Sequence, residues 1–263
     1  MPIKKQAGPN KSTVIAISGK GGSGKTVTSA IIIKLLRPRI SKILAIDADP
    51  ATTLPPALGM EVRGTIADIR EKMVAGPGRA PSTDMPVDMV LDYRIKSILA
   101  EAPGLSLLAI GHPEGPGCYC LVNDILRHAV EKFSSRYELT LIDCEAGMEH
   151  LSRRTTRSVD TMLIVTDPTH RGMNTARLIR SLADNLEIGF SRMGLILNRA
   201  TEDLAGGFEE TAAGIGLELV GTVPEDGNVT RYDREGIPIV DLPDDSPAVL
   251  AIRGILQKLR LIT

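Results

Sequence analysis

The stretch "SGKGGSGKT", Ser18–Thr26, decides the fold class of this chain. It directly follows the apolar run "TVIAIS" and directly precedes a helical pattern, and it fits G-x-x-x-x-G-K-[ST]. Glycines permit the tight turns that bring backbone N–H groups close to phosphate oxygens, and the following helix points its positive end at the same anions. The pattern therefore predicts a phosphate-binding loop between a first strand and a first helix.

Within this loop, two side chains are expected to carry charge and metal chemistry. Lys25 is expected to neutralise the β- and γ-phosphates of a nucleotide, and Thr26 to hold Mg²⁺ through its hydroxyl. The nucleotide-binding residues predicted here are Gly19, Lys20, Gly21, Gly22, Ser23, Gly24, Lys25, Thr26 and Val27.

Further apolar runs alternate with helical patterns along the whole chain. Most runs are apolar at nearly every position, which is typical of strands buried on both faces. Strand–helix alternation predicts an α/β fold, a doubly wound and mostly parallel sheet with helices on both faces. The predicted strands are Thr13–Ser18, Lys42–Asp47, Leu105–Ile110, Leu139–Asp143, Met162–Thr166, Met193–Asn198 and Glu218–Val223. The predicted helices include Thr26–Leu36, Leu121–Phe133, Gly172–Asn185 and Pro247–Leu259.

The domain organisation follows from the same alternation of strands and helices. One P-loop NTPase domain is expected over residues 1–263, with residues 1–11 as a flexible tail. Residues 73–92 are rich in Pro, Gly and Met and are expected to form an inserted surface loop with a following helix. The strands on either side of this insertion belong to one sheet pattern.

Composition and charge exclude several classes of function. The 263 residues carry a net charge of −1, so no global basic field favours nucleic acid or anionic lipid. Three cysteines are too few for a disulfide scaffold and favour a reducing compartment. No secretory signal and no run of about 18 apolar residues is evident. A cytoplasmic protein that binds neither membrane nor nucleic acid is therefore expected.

A second lysine, Lys20, follows the first glycine of the phosphate loop, and a P-loop does not require it. The spacing K-G-G-x-G-K-T resembles the deviant Walker A class, which includes the nitrogenase iron protein, MinD and ParA. In that class the extra lysine reaches across a dimer interface to the partner's nucleotide. The resemblance implies a homodimer built around two ATP or ADP molecules with Mg²⁺, and it implies catalytic roles for Lys20 and Lys25.

The resemblance also implies roles for residues at the ends of later strands. Asp49 would position the attacking water, Asp47 would support the Mg²⁺ shell, and Asp143 would hold a Mg²⁺-bound water as the Walker B aspartate. The segment that follows Asp143 would sense the γ-phosphate. Base-side contacts are expected from Asn198, Arg199, Val223, Pro224 and Glu225.

Two of the three cysteines, Cys118 and Cys120, stand two residues apart before a predicted helix. In an extended segment their side chains point the same way, so both thiols can face one target. Two ligands do not close a four-coordinate site, but a symmetric dimer supplies two more. Incidental cysteines and a redox pair remain open alternatives.

Cys144 is interpreted as a small core residue, and His112 as a solvated loop histidine.

The phosphate loop, the C-x-C pair and "DCEAGMEHLSRRT", Asp143–Thr155, together resemble the CooC family of nickel-handling ATPases. The resemblance implies that Cys118 and Cys120 bind Ni²⁺ or Zn²⁺ at the dimer interface. It further implies a client nickel enzyme, either carbon monoxide dehydrogenase or acetyl-CoA synthase. The N-terminal tail and the insertion depart from the family, so they leave the client open.

Two competing interpretations share the same phosphate loop. A positioning ATPase of the MinD or ParA type would bind membrane or DNA, and the amphipathic C-terminal segment with Arg253, Lys258 and Arg260 fits a membrane-surface helix. A reductase resembling the nitrogenase iron protein would hold a [4Fe–4S] cluster between subunits, with Cys118 and Cys144 as its ligands.

Overall fold

The structure is a computed structural model, and it describes residues 12–74, 86–113, 120–145, 159–185 and 190–263. Strands and helices alternate along these residues. The strands are β1 (Thr13–Gly19), β2 (Ile43–Ala48), β3 (Ala100–Ala102), β4 (Leu105–Ala109), β5 (Leu139–Cys144), β6 (Val159–Thr166), β7 (Phe190–Asn198) and β8 (Glu218–Val223). The helices are α1 (Lys25–Leu36), α2 (Leu54–Ala57), α3 (Ile66–Val74), α4 (Val87–Ile98), α5 (Cys120–Phe133), α6 (His170–Asn185), α7 (Glu202–Gly214), α8 (Gly227–Glu235) and α9 (Pro247–Lys258).

The eight strands form one sheet in the order β3-β4-β2-β5-β1-β6-β7-β8. Every neighbouring pair is parallel except β3 with β4, which is antiparallel. The predicted doubly wound α/β fold is therefore confirmed. The short strand β3 at the edge of the sheet was not predicted, since three residues are too few to show a period.

Helices cover both faces of the sheet and enclose two apolar cores. One core joins the sheet to α3, α4, α5, α6 and α7, and the other joins it to α1, α2 and α9. Central strands contribute side chains to both cores, which explains why β1, β2 and β5 are apolar along nearly their whole length. Burial on both sides therefore places these strands at the centre of the sheet, where the loops of the site begin.

The predicted insertion is helical at both ends in the described part of the chain. Met73 and Val74 belong to α3, and Val87–Asp92 belong to α4, while residues 75–85 lie outside the described residues. Ile66, Ile69, Ile95 and Ile98 bury these two helices against the core, because the isoleucines recur at helical spacing. The predicted helix after the loop is present as α4, Met73 and Val74 belong to α3 instead of the insertion, and the loop itself stays a prediction.

Candidate nucleotide site

The phosphate loop turns directly from β1 into α1, as predicted. Gly24 precedes α1 with φ of 94°, in the left-handed region that favours glycine. A Cβ on Gly24 would lie 2.2 Å from Asn198 Nδ2, so the close approach of another strand end also requires glycine there. Lys25 Nζ lies 3.3 Å from the carbonyl oxygen of Lys20, so its ammonium group folds back over the loop.

Asn198, predicted to contact the base, braces the phosphate loop in this structure. Its Nδ2 donates a hydrogen bond of 2.7 Å to the Ser23 carbonyl oxygen, which ties the end of β7 to the loop after β1. The next residue, Arg199, has φ of 55°, a left-handed conformation that is uncommon for a non-glycine residue. In the strand order, β6 lies between β1 and β7. The hydrogen bond from Asn198 therefore reaches past the end of β6 to hold the phosphate loop.

Asp143 lies at the end of β5, where the Walker B aspartate was predicted. Thr26 Oγ1 donates to Asp143 Oδ2 at 2.7 Å, and Ser29 Oγ donates to Asp143 Oδ1 at 3.1 Å. The carboxyl group is almost fully buried, and this burial raises its pKa to about 6 against the effect of the two hydroxyl groups. A carboxylate paired with a threonine hydroxyl is the kind of oxygen donor set that Mg²⁺ prefers.

Asp47 is the direct neighbour of Asp143, because the two residues are register partners on β2 and β5. Its Oδ1 accepts from the Asp49 N–H at 3.0 Å, and its Oδ2 accepts from the Leu54 N–H at 2.8 Å. Burial raises the pKa of Asp47 to about 7, even though both backbone N–H groups favour the ionised form. Both oxygens therefore hold the loop between β2 and α2, while the predicted Mg²⁺ role of Asp47 stays a prediction.

The loop that Asp47 holds carries Asp49 and Thr53 to the phosphate loop. Asp49 Oδ1 accepts from the Ala51 N–H at 2.9 Å, and the residue lines the cavity beside Lys25. Thr53 Oγ1 lies 3.1 Å from Thr26 Oγ1, so the two hydroxyl groups are hydrogen-bonded. The sequence did not indicate this contact, since a threonine 27 residues away from Thr26 has no local signal.

Lys20 forms an ion pair within its own chain. Its Nζ lies 2.8 Å from Asp167 Oδ2, at the end of β6, and its side chain is about one third exposed. Partial burial alone would raise the pKa of Asp167, but hydrogen bonds from Lys20 and Thr169 outweigh it and hold the pKa below its usual value. Lys20, which the sequence predicts to contact the nucleotide of a partner subunit, is thus paired with a residue of its own chain in this structure.

A cavity of about 730 Å³ opens over the phosphate loop. Gly21, Gly22, Lys25 and Thr26 form one side of it, and Glu145 also lines it. The sequence did not predict another wall of this cavity, which is formed by four residues in the last turn of α8 and directly after it: Tyr232, Asp233, Gly236 and Ile237.

The predicted base-side residues Val223, Pro224 and Glu225 do not line this cavity in the described residues. The adjacent Asp226 has a structural position instead. Its carboxylate accepts from the Asn228 N–H at 2.8 Å and the Ala248 N–H at 3.0 Å, and so caps α8 and meets the start of α9. Base contacts by the preceding residues stay a prediction.

The structure describes two of the three cysteines. Cys120 is the first residue of α5, with an exposed side chain, and its sulfur is disulfide-bonded. Cys118 lies outside the described residues. Cys144 is buried at the end of β5, and burial raises the pKa of its thiol far above the usual value. Among the described residues, no group of three or more His, Cys, Asp and Glu side chains is arranged to hold a metal ion.

The C-terminal amphipathic segment is part of the fold. Val249, Ile252, Ile255 and Leu256 of α9 are buried against the sheet, so its apolar face is already covered. None of the helices in the described ranges is both long and apolar enough to cross a bilayer.

A phosphate loop, two aspartates side by side and a cavity over the carboxyl ends of parallel strands define a P-loop nucleotide-binding protein. Residues 14–239 match the family described as the CobQ/CobB/MinD/ParA nucleotide binding domain. The chain belongs to this family.

Individual relatives place the chain within the family. An uncharacterized ATP-binding protein of Methanocaldococcus jannaschii is 40% identical over 250 residues, which cover 94% of this chain and 98% of that protein. The carbon monoxide dehydrogenase accessory protein CooC of Rhodospirillum rubrum is 32% identical over 247 residues, covering 89% of this chain and 90% of CooC. The crystal structure of the cell division ATPase MinD from Pyrococcus furiosus has a TM-score of 0.68 at 20% identity, covering 96% of this chain and all of MinD, so that likeness concerns the fold.

Proposed function

We propose that this protein is an ATPase that uses a nucleotide-driven homodimer to handle nickel for the maturation of carbon monoxide dehydrogenase or acetyl-CoA synthase. One observation carries the proposal: a C-x-C pair, Cys118 and Cys120, occurs in a chain that is 32% identical to CooC along most of its length. The phosphate-loop site supports the ATPase part, and the cysteines support the metal part.

The nucleotide chemistry is assigned to residues that converge at the cavity. Lys25 leaves the Lys20 carbonyl oxygen and neutralises the β- and γ-phosphates of ATP. Thr26 and Asp143 already share a hydrogen bond of 2.7 Å, and their oxygens fit Mg²⁺, which neutralises phosphate charge when bound. Asp49 lines the same cavity and orients the attacking water.

Dimer formation is assigned to Lys20. Its ammonium group must leave Asp167, 2.8 Å away, before it reaches the nucleotide of a second subunit. Because Lys20 is partly exposed, the ion pair is worth little in water, and the phosphates of a bound nucleotide are a stronger partner. When two chains bind nucleotide, Lys20 is therefore expected to leave Asp167 of its own chain and to contact the phosphates bound by the other chain.

Nickel is the cargo of the proposed reaction. Two cysteines from each of two chains supply four thiolates, which suit Ni²⁺ or Zn²⁺. The Cys120 sulfur is disulfide-bonded in the structure, so ligation requires reduction first. Cys120 opens α5, and α5 packs against α3 beside the sheet, so a movement of the sheet loops can reach the C-x-C segment through packed helices.

Metal analysis of the reduced protein tests this function. Protein reduced with dithiothreitol is freed of the reductant by anaerobic gel filtration and given Ni²⁺ without nucleotide, with MgADP and with MgATP, and bound nickel and molar mass are measured together. We expect one Ni²⁺ per dimer and a thiolate charge-transfer band in at least one nucleotide state. Cys118→Ala/Cys120→Ala should lose nickel and keep nucleotide binding, while the matched control Cys144→Ala should keep both. Nickel bound equally by the double variant would contradict the proposal.

The competing interpretations make different predictions. An iron-protein-like cluster needs Cys144 as a thiolate, yet this thiol is buried with a raised pKa, so a brown anaerobic protein absorbing near 400 nm is not expected. A MinD-like role predicts ATP-dependent cosedimentation with anionic lipid vesicles. With the apolar face of α9 packed on the sheet, we expect no such cosedimentation.

A further inference from the structure

A second cavity lies at the opposite end of the sheet from the phosphate loop. It has a volume of about 590 Å³ and is formed by the amino ends of β2 and β4, the edge strand β3 and the turn after α5. Strand β2 begins in this cavity at Ile43 and ends at Ala48 beside the nucleotide site, so roughly 17 Å of strand separates the two. In this fold class ligands bind at the carboxyl ends of strands, so the nucleotide does not account for the second cavity.

The floor of this cavity is apolar and belongs to the packed core. Ile43, Leu99, Leu105 and Phe133 line it, and each is at least nine-tenths buried in the core of the domain. Because core packing fixes these side chains, the small apolar area that they expose to the cavity is already formed before a ligand binds. The volume falls within the range of small-molecule pockets, roughly 300 to 1,000 Å³.

The rim of the cavity is cationic. Lys42, Lys96 and Arg136 line it against one carboxylate, Glu101, so the lining residues carry a net charge of +2 (three cations minus one anion) in a chain whose net charge is −1. Glu138, which accepts a hydrogen bond from Ser41, lies beside the rim and is not part of the lining. The excess of positive charge is therefore local to this end of the molecule.

Polar donors at the rim have no partners within the described chain. The ammonium groups of Lys42 and Lys96 and the Tyr137 hydroxyl make no hydrogen bond or ion pair there, and the Arg136 guanidinium makes only a ring contact, 5.0 Å from the centroid of Phe133. A guanidinium that lies over an aromatic ring keeps its N–H groups in its own plane, above the ring, where they remain available to an anion. Apolar floor and unpaired donors thus face the same space.

We propose that this cavity binds a small amphiphilic organic anion, with an apolar body on the floor and a carboxylate, sulfonate or phosphate at Lys42, Lys96 and Arg136. Two features select this class of ligand. A simple inorganic ion would leave the apolar floor uncovered, and a neutral apolar ligand would leave three cations without a counter-charge. Its lining shares no residue with the nucleotide cavity and does not include Cys120.

The probe is 8-anilinonaphthalene-1-sulfonate, added to the full chain with its nucleotide cavity filled by MgADP at about 0.15 M salt. Fluorescence titration gives the affinity, and amide NMR shifts give the location. We expect one probe per chain and shifts confined to residues 41–43, 99–106 and 133–137. Shifts centred instead on the exposed Met89 and Tyr93 of α4 would overturn the proposal.

Charge reversal tests the rim while leaving the floor intact. Lys42→Glu/Lys96→Glu keeps the Arg136–Phe133 contact and should weaken probe binding at least roughly tenfold, which corresponds to about 1.4 kcal/mol. Lys72→Glu/Arg177→Glu makes the same change of charge on exposed residues of α3 and α6 and should leave the affinity within about twofold. Equal weakening in both variants, or none in the first, would show that the rim does not bind the anion.

Discussion

The ends of β2 and β5 carry two aspartates that look equivalent and have different surroundings. Asp47 and Asp143 are register partners, both are buried, and burial raises the pKa of both. The partners of Asp47 are two backbone N–H groups, while the partners of Asp143 are the hydroxyl groups of Thr26 and Ser29.

This difference decides what each aspartate can do. A backbone N–H group only donates, so Asp47 must supply two acceptors at fixed positions. A hydroxyl group both donates and accepts and can rotate, so the site around Asp143 tolerates a change in its charge or its ligand. Asp47 therefore holds a loop in place, and we expect Asp143 to be able to exchange a hydroxyl for a metal-bound water. Replacing each aspartate by asparagine separates these two roles.

The largest effect is expected for Asp143→Asn. We expect MgATP turnover to fall at least roughly 100-fold, because a neutral amide no longer stabilises the metal at the phosphates. Stability at pH 5.5 should change by less than about 1 kcal/mol, because Thr26 and Ser29 can reverse their hydroxyl groups toward the amide. Turnover assays and thermal unfolding measure the two quantities, and full turnover in a folded variant would contradict the metal role of Asp143.

The second effect is a loss of stability of the nucleotide-free protein as pH rises. The pKa values of Asp47 and Asp143 are raised to about 7 and about 6, so the folded state binds more protons than the unfolded state above about pH 4. Stability from these groups is complete below the unfolded pKa and is lost as pH rises through the folded pKa values. The slope reaches about 1.4 kcal/mol per pH unit for each group that is protonated in the folded state and ionised in the unfolded state.

Denaturant unfolding between pH 4.5 and pH 8 measures this slope. The double variant Asp47→Asn/Asp143→Asn removes both groups and should show a flatter profile than the unmodified chain. Identical slopes in the two proteins would mean that other residues dominate the pH dependence.

A smaller loss of stability is expected for Asp47→Asn at pH 5.5. The carboxyl group of Asp47 is largely protonated at this pH, so the substitution does not remove a charge. The amide accepts through one oxygen only, so either the Asp49 or the Leu54 N–H faces an NH₂ group. We expect a loss of roughly 1–3 kcal/mol, the cost of one buried unsatisfied donor. If Asp47→Asn were as stable as Asp143→Asn, the contrast between backbone and hydroxyl partners would be wrong.

Much of the architecture could be predicted because its signals are local. The phosphate loop is one continuous stretch, and the central strands are apolar on both faces, so β1, β2 and β5 were located within one or two residues. The placement of Asp143 at the end of its strand followed from the same pattern.

Contacts between distant segments could not be predicted. Asp47 meets the Leu54 N–H only because the intervening loop folds back, and Lys20 meets Asp167 across 147 residues of sequence. The wall formed after α8 depends on how that helix packs above the phosphate loop, and no residue type near Tyr232 or Ile237 indicates it. Tertiary packing, which a single sequence does not display, determines these features.

The smallest expected effect concerns Thr53, which extends the comparison to the loop that Asp47 holds. Its hydroxyl is 3.1 Å from the Thr26 hydroxyl, which is also bonded to Asp143, so Thr53 is placed as a positioning residue for Thr26. Thr53→Ala should raise the Mg²⁺ concentration needed for half-maximal nucleotide binding roughly two- to fivefold, the cost of one exposed hydrogen bond of about 0.5–1 kcal/mol. Thr53→Ser keeps the hydroxyl and should restore the unmodified value, and titration of Mg²⁺ against a fluorescent ATP analogue measures both. A serine variant as impaired as the alanine variant would assign the effect to the lost methyl group and so to packing.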